Sequence, residues 1–247
     1  MMLKKVSLLL IPLCFTVCAY AGDMGTLSHN YFISVSAGPG WTNAGTAQTI
    51  ALQPDVIKTY VPDNLSNATI LGSGEVFFGL QKSFFQNIQS QFGLAIYASS
   101  PATLNGFIQE DGDPNFQDFS YQYQVGHEHI ALKSKWIFDN SFNVNPYLSA
   151  SIGVGMNHSY GYTITPIIFQ AFTAPPFKSK TQAALSYSFG AGLQHAVNQH
   201  INIGLGYQLV SWGSNNLNPA EGQTSSKGLG LNTLYTQNIE FNISYLL

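Results

Sequence analysis

The chain has 247 residues, of which 9% are charged and 13% are aromatic, and its net charge is −3. A soluble domain carries charge on about 25% of its residues, so this composition argues against an ordinary water-exposed surface. The nine cationic residues include no arginine. We therefore expect no nucleic-acid partner, because such proteins place clusters of Lys and Arg on phosphates.

Residues 1–21 are predicted to form a cleaved secretion signal. Lys4 and Lys5 precede an apolar run at 6–17, and Ala19-Tyr20-Ala21 has the small-x-small pattern of a signal peptidase site. The apolar run is shorter than the ~20 residues that a transmembrane helix needs. Cleavage would remove both cysteines and leave residues 22–247 as one predicted domain without disulfide or thiol chemistry.

Alternating apolar and polar residues then recur along the chain. Because successive side chains of a strand point to opposite faces, each such stretch has one apolar and one polar face. A strand that spans a bilayer needs ~9–11 residues of this kind. Eight stretches qualify, at about 31–41, 71–83, 88–98, 119–136, 144–157, 182–195, 200–212 and 234–247.

The connections between these stretches alternate between short and long. The short ones lie at 84–87, 139–143 and 197–199, and the long ones at about 42–70, 99–118, 158–181 and 213–233. Short turns on one rim and long loops on the other are typical of outer-membrane barrels. The pattern predicts an all-β fold, a transmembrane up-and-down antiparallel β-barrel of eight strands with short periplasmic turns and four long extracellular loops.

Aromatic residues cluster near both predicted rims, which suggests two girdles at the membrane interfaces. The long-loop rim would carry Trp41, Tyr97, Tyr121, Tyr160, Tyr162, Trp212 and Tyr235. The short-turn rim would carry Tyr31, Phe84, Phe85, Trp136, Phe138, Phe142, Tyr147 and Tyr245.

The fourth stretch changes parity in its middle. Its apolar residues are Tyr121, Tyr123 and Val125 at odd positions, then Ile130, Leu132 and Trp136 at even positions. One β-bulge at about 126–129 would turn both sets toward lipid. It would also point Glu128 inward, away from a membrane midplane where charge costs ~2–4 kcal/mol.

The inward-facing charges are predicted to form a polar network that fills the lumen. Its members are Glu75, Glu128, Lys133, Lys135 and Glu240. Eight strands leave an interior just wide enough for side chains, and buried charges need partners. A wide pore is therefore not expected, whereas a narrow path stays open as an alternative.

These features resemble the small opacity-like outer-membrane barrels, including the membrane domain of OmpA-type proteins. The resemblance implies residence in the outer membrane of a Gram-negative-type envelope, in contact with outer-membrane lipid and lipopolysaccharide. It also implies that the last strand is the signal read by the outer-membrane assembly machinery. The residues concerned are Phe241, Ile243, Tyr245 and Leu247. The family usually ends in Phe, and Leu247 departs from that.

No catalytic, cofactor or metal site is predicted. His158 and Ser159 are adjacent, so in a strand they face opposite sides and cannot form a nucleophile–base pair. His127 and His129 share a face, but a zinc site needs three or four ligands.

The third long loop contains the apolar, proline-rich segment 163–177. Exposed apolar patches often mark contacts with a partner or a membrane; the alternative is that the segment packs against other loops. The candidate interaction residues are Ile164, Ile167, Ile168, Phe169, Phe172 and Phe177.

Two functions follow from these patterns. The first is a non-enzymatic surface barrel with a structural role or an interaction role through its loops. The alternative is a narrow porin-like channel for small solutes.

Overall fold

The computed structural model describes residues 30–43, 45–54, 56–63, 70–85, 87–110, 112–139, 143–168, 175–223 and 226–247. The predicted secretion signal, and Phe169 and Phe172 of the predicted apolar loop, lie outside these residues and stay predictions.

The described chain consists of twelve β-strands. Their bounds are β1 Asn30–Thr42, β2 Gln48–Gln53, β3 Val56–Pro62, β4 Ile70–Phe85, β5 Ile88–Glu110, β6 Gln117–Phe138, β7 Val144–Pro166, β8 Phe177–Lys178, β9 Lys180–Ala196, β10 Ile201–Asn216, β11 Asn218–Ala220 and β12 Gly230–Leu246. No helix within the described ranges is long and apolar enough to cross a membrane.

Eight of these strands close into an antiparallel ring in the order β1, β4, β5, β6, β7, β9, β10, β12. The ring closes where the first strand meets the last: Ile33 of β1 pairs with Tyr245 of β12 on one side and with Phe78 of β4 on the other. Every large strand therefore lies beside its neighbours in the chain, as predicted for an up-and-down barrel.

The outer face of the ring carries a band of exposed apolar side chains. Phe241 is 64% exposed, Leu185 62% and Ile130 60%. Large exposed apolar side chains also occur on each of the other strands of the ring. A water-soluble protein would bury such a continuous surface. A closed barrel can present it to lipid because all backbone groups are paired between strands. The chain is a transmembrane β-barrel.

Several strands are much longer than a membrane crossing requires. β5 has 23 residues and β6 has 22, against the ~9–11 that span a bilayer. Much of the predicted second and third loops is thus continued strand, and the connection between β5 and β6 is a short turn. The hairpin of β2 and β3 joins this wall, with Pro62 paired to Gly106, and β8 pairs with β11. We call this part of the molecule beyond the lipid the extracellular extension.

The extracellular extension has its own hydrophobic core inside the ring. Its larger members are Tyr60, Leu71, Leu104, Ile108, Phe119, Tyr121, Tyr123, Tyr162, Phe177, Trp212, Leu217 and Leu234. Between the lipid-facing band and this extension, the interior of the barrel changes from polar to apolar.

This change explains why the predicted bulge in the fourth stretch is wrong. In β6 the pairing runs without a shift from His127, opposite Ser99, to His129, opposite Tyr97. Odd-numbered residues face inward along the whole strand. Tyr121, Tyr123 and Val125 point inward because the interior there is a hydrophobic core. The strand keeps its parity while its surroundings change.

The prediction for Glu128 is corrected by the same fact. Glu128 is exposed on the outer face, paired with Ala98 on one side and Met156 on the other. It lies just above Ile130, at the upper edge of the apolar band, where a carboxylate can reach water. A carboxylate at this depth costs far less free energy than a carboxylate at the membrane midplane would.

The pairing irregularity within the predicted range lies in the neighbouring strand: Ser99 pairs with His127 but Ala102 pairs with Val125, so β5 carries the extra residue opposite Gly126. On the β7 side, Gln122 pairs with Thr163 but Gln124 pairs with Tyr160, so β7 carries an extra residue. Gly161 lies there with φ of 67°, a left-handed conformation that glycine adopts without a Cβ clash.

The predicted aromatic girdles are only partly correct. At the short-turn rim, Tyr31, Phe84, Trp136 and Tyr245 are exposed toward the membrane. Tyr147 is instead buried inside the barrel. At the long-loop rim, the residues that are buried in the interior are Tyr97, Tyr121, Tyr162 and Trp212. Sequence proximity to a rim does not distinguish the outer face from the inner one.

Candidate functional site in the barrel interior

A small aromatic contact lies inside the membrane half of the lumen. Phe32 of β1 and Phe77 of β4 meet edge to face with ring centroids 4.7 Å apart, and Ala95 of β5 completes the cluster. Such edge-to-face pairs add to the stabilisation from burial alone.

Beside it lies an ionic layer formed by four buried charges. Lys133 of β6 pairs with Glu75 of β4, and Glu240 of β12 approaches through Gln208 of β10. The Gln208 amide places its nitrogen 2.8 Å from Glu240 Oε1 and its oxygen 3.3 Å from Lys133 Nζ. This orientation matches donors with acceptors on both sides.

The fourth charge of the ionic layer belongs to Lys135. Its Nζ lies 4.0 Å from the centre of the Tyr147 ring, and the Tyr147 hydroxyl accepts a hydrogen bond of 3.3 Å from Asn242. Two carboxylates and two ammonium groups make the layer electrically neutral. Neutrality is needed, because an unpaired charge in this interior would cost several kcal/mol.

The free space within the ionic layer is small. The cavity lined by Glu75, Lys133, Lys135, Gln208 and Glu240 has about 20 Å³ of room. One water molecule needs roughly 10–15 Å³ by this measure. The cavity within the layer therefore holds about one water.

A histidine layer follows toward the outside. Asn157 of β7 donates from Nδ2 to the backbone oxygens of Trp212 and Ser214 at 2.7 and 2.9 Å, so its Oδ1 accepts from His127 Nδ1 at 2.6 Å. In a neutral His127 the Nε2 atom is then an acceptor, and it receives the Nδ1 proton of His129 at 3.1 Å.

Aromatic rings enclose both imidazoles of the histidine layer. Trp212 stacks on His127 at 4.7 Å between centroids, and Tyr97 stacks on His129 at 4.8 Å. His129 Nε2 is buried without a hydrogen-bond partner among the described residues. Both histidines are buried, at 1% and 3% exposure, with one stacked aromatic ring each.

Ser186 of β9 brings a hydroxyl to this layer. Its Oγ lies 3.3 Å from His129 Nδ1, but the hydroxyl donates to the backbone oxygen of Ser211 at 2.7 Å. A serine nucleophile must give its proton to the base. Here the serine proton is directed at a carbonyl, and the facing imidazole nitrogen already carries a proton.

The hydrophobic core of the extracellular extension closes the outer end. Burial raises the pKa of Tyr60, Tyr121, Tyr123 and Tyr162 well above the ordinary value. Lys58, only 6% exposed, is held by Glu110 at 2.7 Å and lies 4.8 Å from the centre of the Phe119 ring. A buried cation is tolerated because it has both partners.

The structure brings together four of the five predicted lumen residues. Glu75, Lys133, Lys135 and Glu240 lie in one layer, whereas Glu128 faces outward. The sequence favoured an inward or bulge pair for His127 and His129, but it did not predict the partners of that pair. His127 and His129 share a face, but their partners Asn157 and Ser186 are on other strands, and only the strand register brings them opposite.

The predicted apolar loop is divided between two environments. Phe177 is 5% exposed and packs on Tyr60 and Tyr162 at 5.6 and 5.1 Å, so its prediction as an exposed contact is wrong. Ile164 leans against the same core. Ile167 and Ile168 are exposed, by 52% and 46%.

The predicted assembly residues all face outward on β12 or just after it. Phe241, Ile243, Tyr245 and Leu247 are 64%, 61%, 44% and 72% exposed. They form one lipid-facing stripe beside β1. Their role as an assembly signal stays a prediction.

Among the described residues, no group of three or more His, Cys, Asp or Glu is placed to hold a metal ion.

Comparison with known proteins adds a set of structural likenesses. No family model matches the chain, and no curated protein matches it. Solved structures do match, including the outer membrane protease OmpT from Escherichia coli, which is 8% identical over 91% of this chain and 100% of its own, with a TM-score of 0.49. Neisserial surface protein A is 9% identical over 87% of this chain and 96% of its own, with a TM-score of 0.40. The outer membrane protein OprG from Pseudomonas aeruginosa is 12% identical over 87% of this chain and 95% of its own, with a TM-score of 0.36.

The closed ring and its apolar outer band decide the class from this chain alone. It is an outer-membrane β-barrel. The location in the outer membrane follows, because the band needs lipid around it and barrels of this kind reside there.

Proposed function

We propose that the protein is a non-enzymatic outer-membrane barrel of the small opacity-like type, with a structural or surface-interaction role carried by its extracellular extension. Its partners are outer-membrane lipid and lipopolysaccharide, the outer-membrane assembly machinery during insertion, and a surface partner outside the cell. The exposed pair Ile167 and Ile168 offers an apolar contact for that partner.

The observation that carries the proposal is the filling of the interior by side chains. The Phe32–Phe77 contact, the ionic layer, the histidine layer and the hydrophobic core of the extension all occupy it. Between them the ionic layer leaves room for about one water. A solute path would have to displace these packed side chains, which favours the surface role over the narrow channel.

The geometry of Ser186 supports the non-enzymatic part. Among the described residues, Ser186 is the only serine whose hydroxyl lies within hydrogen-bond distance of the buried His127–His129 pair, and this hydroxyl donates to a backbone carbonyl. Because that layer is also packed between Tyr97 and Trp212, it fits a structural role better than nucleophilic catalysis.

Planar-bilayer recording tests the proposal. The refolded protein, shown to be folded by a gel shift between boiled and unboiled samples, is inserted into a bilayer, with a known porin as the positive control. We expect no discrete conductance steps. Reproducible steps from folded protein, absent from a boiled sample, would overturn the surface role in favour of the channel.

A further inference from the structure

The outer wall of the extracellular extension carries a polar groove that the barrel fold does not require. It lies across β5, β6 and β7 beside the end of β3 and has a volume of about 250 Å³. Its lining residues are Asp63, Asn105, Gly106, Phe107, Ser120, Tyr121, Gln122, Thr163 and Thr165.

The strand register arranges these side chains in two neighbouring rows. Asn105, Gln122 and Thr163 lie opposite one another in the first row. Phe107, Ser120 and Thr165 form the second. Since adjacent strands lie ~4.8 Å apart, each row extends roughly 10 Å, which suits one or two sugar rings.

The first row offers unused hydrogen-bonding capacity. Within the described chain, the side chains of Gln122 and Thr163 have no hydrogen-bond partner and are exposed. An amide and a hydroxyl both donate and accept. They match the vicinal hydroxyl groups of a saccharide, which also donate and accept. The partly exposed Phe107 ring supplies a face on which the C–H side of a sugar ring can rest.

The charge of the groove selects among saccharides. Its lining contains no Lys and no His, and its one ionisable carboxylate is Asp63. A phosphorylated ligand would therefore meet no cationic side chain in the lining. The lining suits a neutral sugar better than the phosphate-bearing part of a glycolipid.

The height of the groove above the lipid agrees with that selection. Glu128 marks the upper edge of the apolar band, and Gln122 lies six residues further along β6. At ~3.3 Å per residue and a strand tilt of about 40°, the groove lies roughly 15 Å above that edge. In a lipopolysaccharide leaflet the phosphates lie near the acyl chains, and the neutral sugars extend further out.

We propose that this groove binds a neutral saccharide through the row of Asn105, Gln122 and Thr163, with Phe107 as the stacking surface. The inference rests on the proposed function for its setting in an outer membrane. The saccharide is either attached to the surrounding lipopolysaccharide or part of a soluble glycan outside the cell, and both present the same chemistry.

Binding titrations on the refolded full chain in detergent micelles test this proposal. The probes are lipopolysaccharide with its core oligosaccharide, lipid A without those sugars, and the free dephosphorylated core oligosaccharide. We expect the two sugar-bearing probes to bind and lipid A to bind at least tenfold more weakly. Preference for the intact lipopolysaccharide would identify a membrane source, and equal binding of the free oligosaccharide a soluble one.

Two variants and a matched control locate the site. The double variant Gln122→Ala/Thr163→Ala, and separately Phe107→Ala, should weaken sugar binding at least tenfold. Gln124→Ala removes the same kind of side chain two residues further down β6, outside the groove, and should have no effect. Gln122 and Thr163 are exposed and Phe107 and Gln124 are partly exposed, and the boiled-versus-unboiled gel shift verifies that each variant is folded.

The outcomes separate the groove from the proposed function. Unchanged sugar binding in both groove variants, or lipid A binding as tightly as the sugar-bearing probes, would overturn the groove while leaving an outer-membrane barrel intact. A wild-type chain that forms no heat-modifiable barrel in lipid would instead overturn the proposed function.

Discussion

The position of a charged residue in this barrel depends on whether its charge has a partner. Lys133 and Glu75 are 7% and 3% exposed at their side chains and lie together, with Lys135 and Glu240 beside them. Removing one partner of a buried pair usually costs more than the pair itself contributes, because the remaining charge is left uncompensated. Glu128 shows the other solution, since it makes no ion pair within the part of the chain that the structure describes and lies where water is accessible.

The buried Glu75–Lys133 pair should therefore show a large coupling energy. Glu75→Gln should lower the free energy of unfolding by roughly 3 kcal/mol, because Lys133 then shares the layer with Lys135 against a single carboxylate. The double variant Glu75→Gln/Lys133→Gln should cost less than the sum of the single variants by at least about 1 kcal/mol. Urea unfolding in lipid vesicles measures these values.

The exposed pair of Lys178 and Glu221 is the matched control for that cycle. Their atoms lie 3.6 Å apart and the side chains are 62% and 83% exposed, so we expect a coupling of about 0–1 kcal/mol. An equal coupling energy in the two pairs would contradict the interpretation that the ionic layer is a low-dielectric site.

At the scale of elements, one strand passes through two different environments. β6 faces polar groups with Lys133 and Lys135 in its membrane half and a hydrophobic core with Tyr121 and Tyr123 in its outer half. Its parity is unbroken. The inward face of β6 is thus polar in the membrane half, where the outward face meets lipid. In the outer half, the inward face belongs to a hydrophobic core.

The outward parity of β12 gives a prediction for the membrane half. Phe241 lies between Ile239 and Ile243 on the lipid face, near the middle of the apolar band. Phe241→Lys should cost about 2–4 kcal/mol, whereas Gln237→Lys, on the same face at the upper edge, should cost about 0–1 kcal/mol. Folding yield by gel shift and urea unfolding in vesicles report the difference, and equal costs would contradict the placement of the band.

The buried tyrosines give a prediction for the outer half. Burial raises the pKa of Tyr60, Tyr121, Tyr123 and Tyr162 above the ordinary value of 10.0. A folded-state pKa above the unfolded one contributes stability that is complete below pH 10 and is lost as pH rises through the folded pKa. The extracellular extension should therefore open in strong base while the membrane half stays folded.

Tyrosinate absorbance and limited proteolysis check this opening. The buried tyrosines should ionise late and together, at the pH where the extension becomes cleavable. Tyr123→Phe removes one of these ionisable groups and should move the opening to higher pH. A single ionisation step near pH 10 with unchanged protease resistance would count against a packed outer core.

At the scale of the whole molecule, closure results from layers in series. The ionic layer, the histidine layer and the outer core each fill part of the interior. Interiors packed in this way leave few voids larger than a water molecule. This packing supports the proposal that the extracellular extension is the part of the barrel that contacts other molecules.

Layers in series predict that opening one of them is not enough. Glu75→Ala/Lys133→Ala should enlarge the ionic layer, keep it neutral and still give no conductance in a planar bilayer, because the histidine layer and outer core remain. If this double variant conducts, the ionic layer is what closes the interior, and the histidine layer and outer core do not close it.

Alternation, low charge and the connection lengths were sufficient to predict the eight-stranded membrane barrel. Each strand reveals its two faces locally, since side chains alternate with a period of two. The lipid-facing stripe from Phe241 to Tyr245 and the inward positions of Glu75 and Glu240 could be predicted for this reason.

Only the tertiary structure decided what each inward face meets. Tyr121 and Lys133 share a parity, yet one enters a hydrophobic core and the other an ionic layer, and no local pattern distinguishes an apolar residue that faces lipid from one that faces a core. The strand register decided the rest: it joined His127 to Asn157, set Glu128 outside, and aligned Asn105, Gln122 and Thr163. Contacts between strands depend on pairing across the sheet, which one strand's sequence does not contain.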